Sequence, residues 1–384
     1  MSFDTIIPRR GTGSIKWDRR PELDPFWVAD MDFKSPQCVL DAVQERIDHG
    51  IFGYAHAHDS LNEAVTDYLS TRHKATVSAD HLVHLGGLVV ALSLIARSFV
   101  AKGEAVMTCS PVYPPFLGVA HDAEAETIAV PHTLTDDQYT FDWEAMEAAV
   151  TEKTKVFILC NPQNPLGRSF TNAEVIKVAE FCHKHDLVLV SDEIHCDLVF
   201  NEDVQPFFSA IHLPEALKQK LIVLQAPSKT YNIAGLGYAF AIIENDSLRR
   251  KFNQTKGHTL PEINCIAFYT AEAAYRDGEP WRQELLAYLK KNRDTITDFI
   301  RNKMPYLSIP NIEATYLAWI DCSKLGLDNP AVYLEEDAGL FLSDGAYFGS
   351  PQHIRFNYGC PHERVLEGLA KIKTSFEKLE SATK

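Results

Sequence analysis

Leu221-Ile222-Val223-Leu224 followed by Ala226-Pro227-Ser228-Lys229-Thr230-Tyr231-Asn232 decides how the rest of the chain is read. The apolar run predicts a short buried strand. Lys229 then falls just past a strand end, between Pro227, Ser228 and Asn232, on a loop anchored by a rigid sheet. No run of neighbouring charges surrounds it, and Ile233-Ala234-Gly235-Leu236-Gly237 follows directly. Two readings stand side by side. Lysines are mostly exposed, so this is a surface loop lysine. Alternatively, a partly dry pocket lowers its pKa and makes the amine a nucleophile toward carbonyls. Groups elsewhere in the chain choose between them.

Working outward, Ala105–Cys109, Thr127–Val130, Lys155–Cys160, Leu187–Ser191 and Tyr238–Ile243 read as further strands. Leu187-Val188-Leu189-Val190 is continuously apolar, as a strand covered on both faces requires. Between strands lie helical stretches: Leu88–Val100 after Leu85-Gly86-Gly87, and a helix opened by the capping box Thr171-Asn172-Ala173-Glu174 and ending near His185. This alternation predicts an α/β layer fold with a mostly parallel sheet. Chemistry in such sheets gathers in the loops after strand ends. Earlier, Ser35-Pro36 opens a helix with Val39, Val43 and Ile47 on one face, stopped by Gly50. A second amphipathic helix (Leu61, Val65, Tyr68, Leu69) follows Gly53-Tyr54. The first residues, to about Asp32, read as an extended arm ending in a strand-like Phe26–Phe33. Gly11-Thr12-Gly13 resembles a phosphate loop, but no strand precedes it, and it reads as flexible arm. After Arg276 the rhythm changes to a long charged helix (Trp281–Lys303), a strand (Ala314–Ile320), a Gly-containing loop (Ser343–Ser350), a strand (His353–Tyr358) and a closing helix from about Glu363. The expected division is an arm and part of a small domain (1–45), a large domain (46–276) and a small C-terminal α+β domain (277–384).

The net charge of −15 over 384 residues opposes nucleic acid and anionic membrane surfaces as partners. The start carries Arg9, Arg10, Lys16, Arg19 and Arg20 but no apolar segment, so no secretory signal is expected. Leu88–Val100 is broken by Arg97 and too short to span a bilayer. The 8 cysteines are scattered without a C-x-x-C pair, a reduced pattern that suggests the cytoplasm.

Several groups fall after strand ends. Ser191-Asp192-Glu193-Ile194-His195 invites a metal reading with Cys196, but the spacing fits no usual zinc pattern. The alternative sets Asp192 against a heterocyclic nitrogen, holding it protonated. Asn161-Pro162-Gln163-Asn164-Pro165-Leu166-Gly167 is either a stiff turn or a frame presenting the Asn164 amide to a ring oxygen. Tyr113 is either core or a ring-stacking aromatic. Gly86-Gly87 opening a helix suits a phosphate. Arg355, among apolar residues, suits a carboxylate. Amine, ring-facing acid, amide, aromatic, phosphate turn and arginine converge on pyridoxal phosphate, whose protonated ring is an electron sink.

With these residues the chain resembles the fold-type I pyridoxal-phosphate enzymes of the class I/II aminotransferase group, over nearly its whole length. The marks are Asn-Pro-x-Asn-Pro-x-Gly at Asn161–Gly167, Ser-Asp-Glu-Ile at Ser191–Ile194 and Ser-Lys-Thr at Ser228–Thr230. Trp27–Phe33, Phe52-Gly53-Tyr54, Ser110-Pro111-Val112-Tyr113, Asp192–His195 and Ala226–Asn232 resemble its carbon–sulfur lyase branch, the cystathionine β-lyase and cysteine desulfhydrase type. The resemblance implies the aspartate aminotransferase-like fold. It makes Lys229 the cofactor-linked catalytic lysine, Asp192 the partner of the pyridine nitrogen, Asn164 the ligand of the ring hydroxyl and Tyr113 the stacking ring. It makes Leu88 and Val89 backbone donors to phosphate, and Arg355 the ligand of the substrate α-carboxylate. Tyr54 matches a phosphate ligand that crosses from a partner subunit, which implies a homodimer. His195 stands where many aminotransferases carry a ring-contacting tyrosine. Ala226 and Gly237 stand where those enzymes often place a phosphate-binding Ser and Arg, which shifts that duty to Ser228 and Tyr54. The activity implied is α,β-elimination from cystathionine, cystine or cysteine to pyruvate, ammonia and a thiol. An aminotransferase using the same residues and a regulatory protein that only holds the cofactor are the alternatives.

Overall fold

Residues 2–257 and 260–383 are described by the computed structural model. Among them a seven-stranded sheet has the order Leu82–Leu85, Ala239–Ile242, Leu221–Gln225, Val188–Asp192, Thr154–Cys160, Ala105–Ser110, Glu126–Pro131. Ala239–Ile242 is antiparallel to both neighbours, and every other pairing is parallel. Alternation of side chains across each strand accounts for the unbroken apolar runs. Phe157 and Leu159 join one buried cluster, while Val156, Ile158 and Cys160 join the cluster across the sheet. Leu221 and Val223 divide in the same way from Ile222 and Leu224.

The sheet order has a direct consequence for function. Leu221–Gln225, Val188–Asp192, Thr154–Cys160 and Ala105–Ser110 are adjacent and parallel, so their carboxyl ends share one edge. The loops carrying Lys229, His195, Asn164 and Tyr113 therefore emerge side by side. The helix Asn172–Lys184 begins with the capping box expected. The Thr171 hydroxyl accepts from the Glu174 N–H at 3.3 Å, and the Glu174 carboxylate accepts from the Thr171 N–H at 2.8 Å.

A three-stranded antiparallel sheet, Leu317–Asp321, His353–Asn357 and Ser343–Asp344, lies in the C-terminal part. Its core draws Leu285, Leu289, Ile296 and Ile300 from the helix Glu279–Lys303, spaced on one helical face. Phe3, Phe26 and Met31 of the N-terminal arm complete the same cluster.

Two expectations about the arm are corrected. Phe26–Phe33 is not a strand; only Asp24–Pro25 pairs, parallel to Leu340–Phe341. The backbone carbonyls beyond it serve side chains instead. Nor is the arm around Gly11-Thr12-Gly13 loose. The Asp18 carboxylate accepts the Gly11 and Gly13 N–H groups, both at 2.7 Å. Arg9 reaches Asp30 at 2.8 Å and Asp32 at 2.6 Å, and buried Lys16 reaches Asp32 at 2.9 Å. The strand expected from Ala314 starts later, at Leu317, because Ala314 bridges back to Val199 and Thr315 adopts a φ of 71°. Among the described residues no helix is long and apolar enough to cross a membrane.

Candidate functional site

The shared sheet edge opens into a cavity of about 1230 Å³, roofed by the arm and by Ser343, Phe348 and Arg355. Lys229 enters it from the loop after Leu221–Gln225. Its Nζ donates to the Ala29 carbonyl at 2.7 Å, and the Tyr316 hydroxyl donates to the same oxygen at 2.9 Å. Burial, then the nearby Arg355 guanidinium, brings the Lys229 pKa down to about 8, with Asp30 and Asp192 opposing. About a tenth of the amine is then neutral at pH 7, roughly 300-fold more than at the ordinary lysine value, and the neutral form is what a nucleophile or base requires.

Asp192 ends its strand with a buried carboxylate whose hydrogen bond is to the Ile194 N–H, at 3.1 Å. Burial raises it to about 7. A cationic ring nitrogen set against this carboxylate would restore its charge and be held protonated in turn. Glu193 faces the other way. It is enclosed by Ser209 at 2.6 Å, the Ala210 N–H at 2.8 Å, and Gln225 and Ser191 at 2.9 Å. The alternation along the chain thus gives one carboxylate to the cavity and one to the core.

Arg355 is buried and held only by neutral acceptors. It donates to Asn164 Oδ1 at 2.8 Å, to the Trp27 carbonyl at 2.7 Å and to Ser343 Oγ at 3.0 Å. Its Nε has no partner, and its guanidinium lies 4.7 Å from the Phe348 ring centre. Burial lowers its pKa to about 10, which leaves it charged. A buried cation without an anionic partner calls for one from a ligand. Asn164, expected to face a ring oxygen, spends its Oδ1 on Arg355, so its amide nitrogen is the end left for a ligand. Gln163 ties this loop to the next one by donating to the Pro111 carbonyl at 2.7 Å.

Tyr113 lines the cavity with its ring edge-on to Phe116, centroids 6.1 Å apart. Burial, and then Asp192, raise its pKa, so it stays neutral. His195 is buried, and burial, then Lys229 and Arg355, push it to about 3. It is a neutral imidazole whose Nδ1 lacks a partner. At the far side, the helix Leu88–Phe99 makes its first capping bond from Ala91 N–H to the Gly87 carbonyl at 3.3 Å. The Leu88 and Val89 N–H groups are therefore left over, at the positive end of the helix. A Cβ on Gly86 or Gly87 would meet nothing within 4 Å, so both glycines border open space. Gly237 has a φ of 68°, and a Cβ there would lie 3.2 Å from the Gly86 carbonyl. This close approach of two backbones favours a glycine at the position where many aminotransferases carry an arginine. Ser228 and Ala226 line the cavity; Tyr54 does not, and is fully exposed in the single chain.

Sequence reasoning from the residues missed the Ala29 and Trp27 carbonyls, Tyr316 and Ser343. Their contacts span long separations and leave no local pattern. Cys196 clusters with His73 and Asp197 rather than His195, and Asp197 is already engaged by Tyr68 at 2.8 Å and Arg72 at 3.2 Å.

Residues 26–372 match the family model described as aminotransferase class I and II. The chain belongs to this family. Within it, the cystathionine beta-lyase PatB of Bacillus subtilis is 35% identical, with 98% of this chain and 100% of that protein covered. Among solved structures, OvoB matches with a TM-score of 0.94 at 35% identity, covering 98% of this chain and 99% of that one. Cystalysin from Treponema denticola, a structure that contains pyridoxal 5'-phosphate, matches with a TM-score of 0.94 at 30% identity, covering 98% and 99%. The fold is thus that of the class I and II aminotransferases, with the mostly parallel sheet expected.

Proposed function

We propose that this protein is a pyridoxal-phosphate-dependent carbon–sulfur β-lyase. It would cleave cystathionine- or cysteine-type amino acids to pyruvate, ammonia and a thiol. The observation that carries the reading is one cavity holding a lysine of lowered basicity, a buried carboxylate and a buried arginine with no anion. Relatives named as cystathionine beta-lyases at 27% to 35% identity over nearly the full chain support it.

The residues present fit the cofactor. Lys229 offers the amine for its aldehyde. Asp192 offers a buried cavity carboxylate with no cation in contact, matched to a pyridine nitrogen. The Asn164 amide nitrogen and the vacant Nδ1 of His195 supply polar groups for the ring side. The free N–H groups of Leu88 and Val89, together with Ser228, suit the phosphate. When bound, pyridoxal phosphate supplies an electron sink for charge developing at the substrate Cα. The chain's own groups do the rest. Arg355 binds the α-carboxylate and fixes which Cα substituent faces Lys229. Lys229, its basicity lowered by burial, takes the Cα proton at Nζ in its neutral form. The roof formed by Trp27–Asp30 and Phe348 restricts water around the developing charge. Loss of a thiolate from Cβ completes elimination, and water releases pyruvate and ammonia.

The protein would work as a homodimer. Tyr54 is exposed beside exposed Ile51 and Phe52, an apolar patch that a second copy would cover while bringing Tyr54 to the partner's site. The eight unpaired cysteines support a reducing, cytoplasmic setting. Pyruvate formed from L-cystathionine, assayed beside amino transfer to a 2-oxo acid, tests the activity. Efficient amino transfer without pyruvate would overturn it in favour of the aminotransferase reading.

A further inference from the structure

Three arginines of the N-terminal arm line the mouth of the cavity: Arg9, Arg19 and Arg20. Two are spoken for. Arg9 pairs with Asp30 and Asp32, and Arg20 pairs with Glu22 and Glu335. Among the described residues Arg19 has no carboxylate in ion-pair range. The carboxylates at the mouth are equally committed. Asp30 and Glu335 hold those arginines, and Asp344 accepts from the Ala346 N–H at 2.8 Å and from Asn329 at 2.7 Å. One cation is left over where a ligand enters.

Arg19 is also set on a fixed base. It caps the short helix Ile15–Asp18, whose Asp18 clamps the Gly11–Gly13 turn. Its guanidinium lies 5.1 Å from the centre of the Trp27 ring. That indole is held by its N–H to the Lys16 carbonyl at 3.1 Å and by Phe341, ring centroids 4.8 Å apart. The backbone carbonyl of the same Trp27 accepts from Arg355 at 2.7 Å. One residue therefore joins two cations of the cavity, Arg355 through its carbonyl and Arg19 through its ring.

Resting on the lyase reading, we propose that Arg19 is a specificity-determining residue. It binds a second carboxylate, carried on the sulfur substituent, while Arg355 binds the α-carboxylate. The favoured substrate class is then the thioether amino acid that carries a carboxylate at both ends. Cysteine and S-alkylcysteines would be turned over without help from Arg19. A planar guanidinium stacked on an indole suits a carboxylate better than a diffuse apolar group.

The test uses the holoenzyme and its Arg19→Gln and Arg19→Lys variants. L-cystathionine, S-methyl-L-cysteine and S-(2-aminoethyl)-L-cysteine, which ends in a cation, are compared by pyruvate release. Binding is followed separately by the change in cofactor absorbance on titration. An exposed charged contact leads us to expect KM and Kd for cystathionine about twofold to fivefold higher in Arg19→Gln, with kcat little changed. Arg19→Lys should recover part of the loss. S-methylcysteine should be unaffected, and the aminoethyl compound unaffected or better bound. Equal losses for all three, or no loss for cystathionine, would overturn the assignment. Absence of pyruvate with every substrate would instead sink the lyase reading, and the titrations would still decide the role of Arg19.

Discussion

Asp192→Asn should stabilise the protein when the cofactor is removed, by an amount that depends on pH. The carboxyl is raised from 3.8 to about 7 in the fold, chiefly by burial. Between those values the folded apoprotein keeps a proton that the unfolded chain has released. Its stability therefore falls as pH rises through that window. At about 1.4 kcal/mol per tenfold change in proton affinity, the full cost of the charged carboxylate approaches ~4 kcal/mol above about pH 7. Asparagine has the same shape, stays neutral and can still accept the Ile194 N–H, so it escapes this cost. Urea unfolding of both apoproteins, followed by tryptophan fluorescence, measures the gap. We expect the variant to be more stable by up to about 4 kcal/mol near pH 8, under about 2 kcal/mol near pH 5, and hardly at all below about pH 4. The holoenzyme should behave oppositely, with the variant releasing cofactor more readily, because a pyridine nitrogen would lose its carboxylate. A variant apoprotein less stable than wild type at every pH, or a gap that ignores pH, would refute the reasoning.

Other substitutions probe the remaining parts. Arg355→Lys gives up the planar fork that spans Asn164, Trp27 and Ser343, and KM for amino-acid substrates should rise about tenfold to a hundredfold, read by steady-state kinetics. Lys16→Met takes one of two cations from buried Asp32 and leaves Arg9 and the Trp17 indole, and denaturant midpoints should report a loss of about 1.5–3 kcal/mol. Burial would raise the Asp32 pKa, but Lys16, the Trp17 indole and Arg9 outweigh it and hold it below 3.8. That stabilisation is thus present above the unfolded value and lost as pH falls through the folded one. Capture of pyridoxal phosphate by the apoprotein, followed by absorbance, should quicken with pH through about 8, the Lys229 value, rather than toward 10.5.

The sheet and its reactive edge were legible because each rests on a local pattern. Unbroken runs such as Leu187–Val190 mark strands buried on both faces, and four such runs are followed by loops with the reactive residues. Lys229 could be weighed only alongside Asp192 and Arg355, since one lysine on a loop is ordinary. The roof was not legible. Phe26–Phe33 has the composition of a strand, yet it gives its carbonyls to Lys229, Arg355 and Asn357, which lie 200 or more residues further along the chain. The arm reads as loose chain because the ion pairs from Arg9 and Lys16 to Asp32 close loops that no short window reveals. Gly237 likewise looked like a missing arginine until the approach of its backbone to Gly86 explained it. The reach of Tyr54 depends on a second chain, which no pattern within one sequence displays.

The account stands on Lys229 as the point of cofactor attachment. Borohydride reduction of the holoenzyme followed by peptide mass mapping addresses this directly. We predict a stable pyridoxyl adduct on the peptide containing Lys229 and none after Lys229→Ala. A label on another lysine, or an unmodified Lys229 in the reduced, pyruvate-forming enzyme, would contradict it.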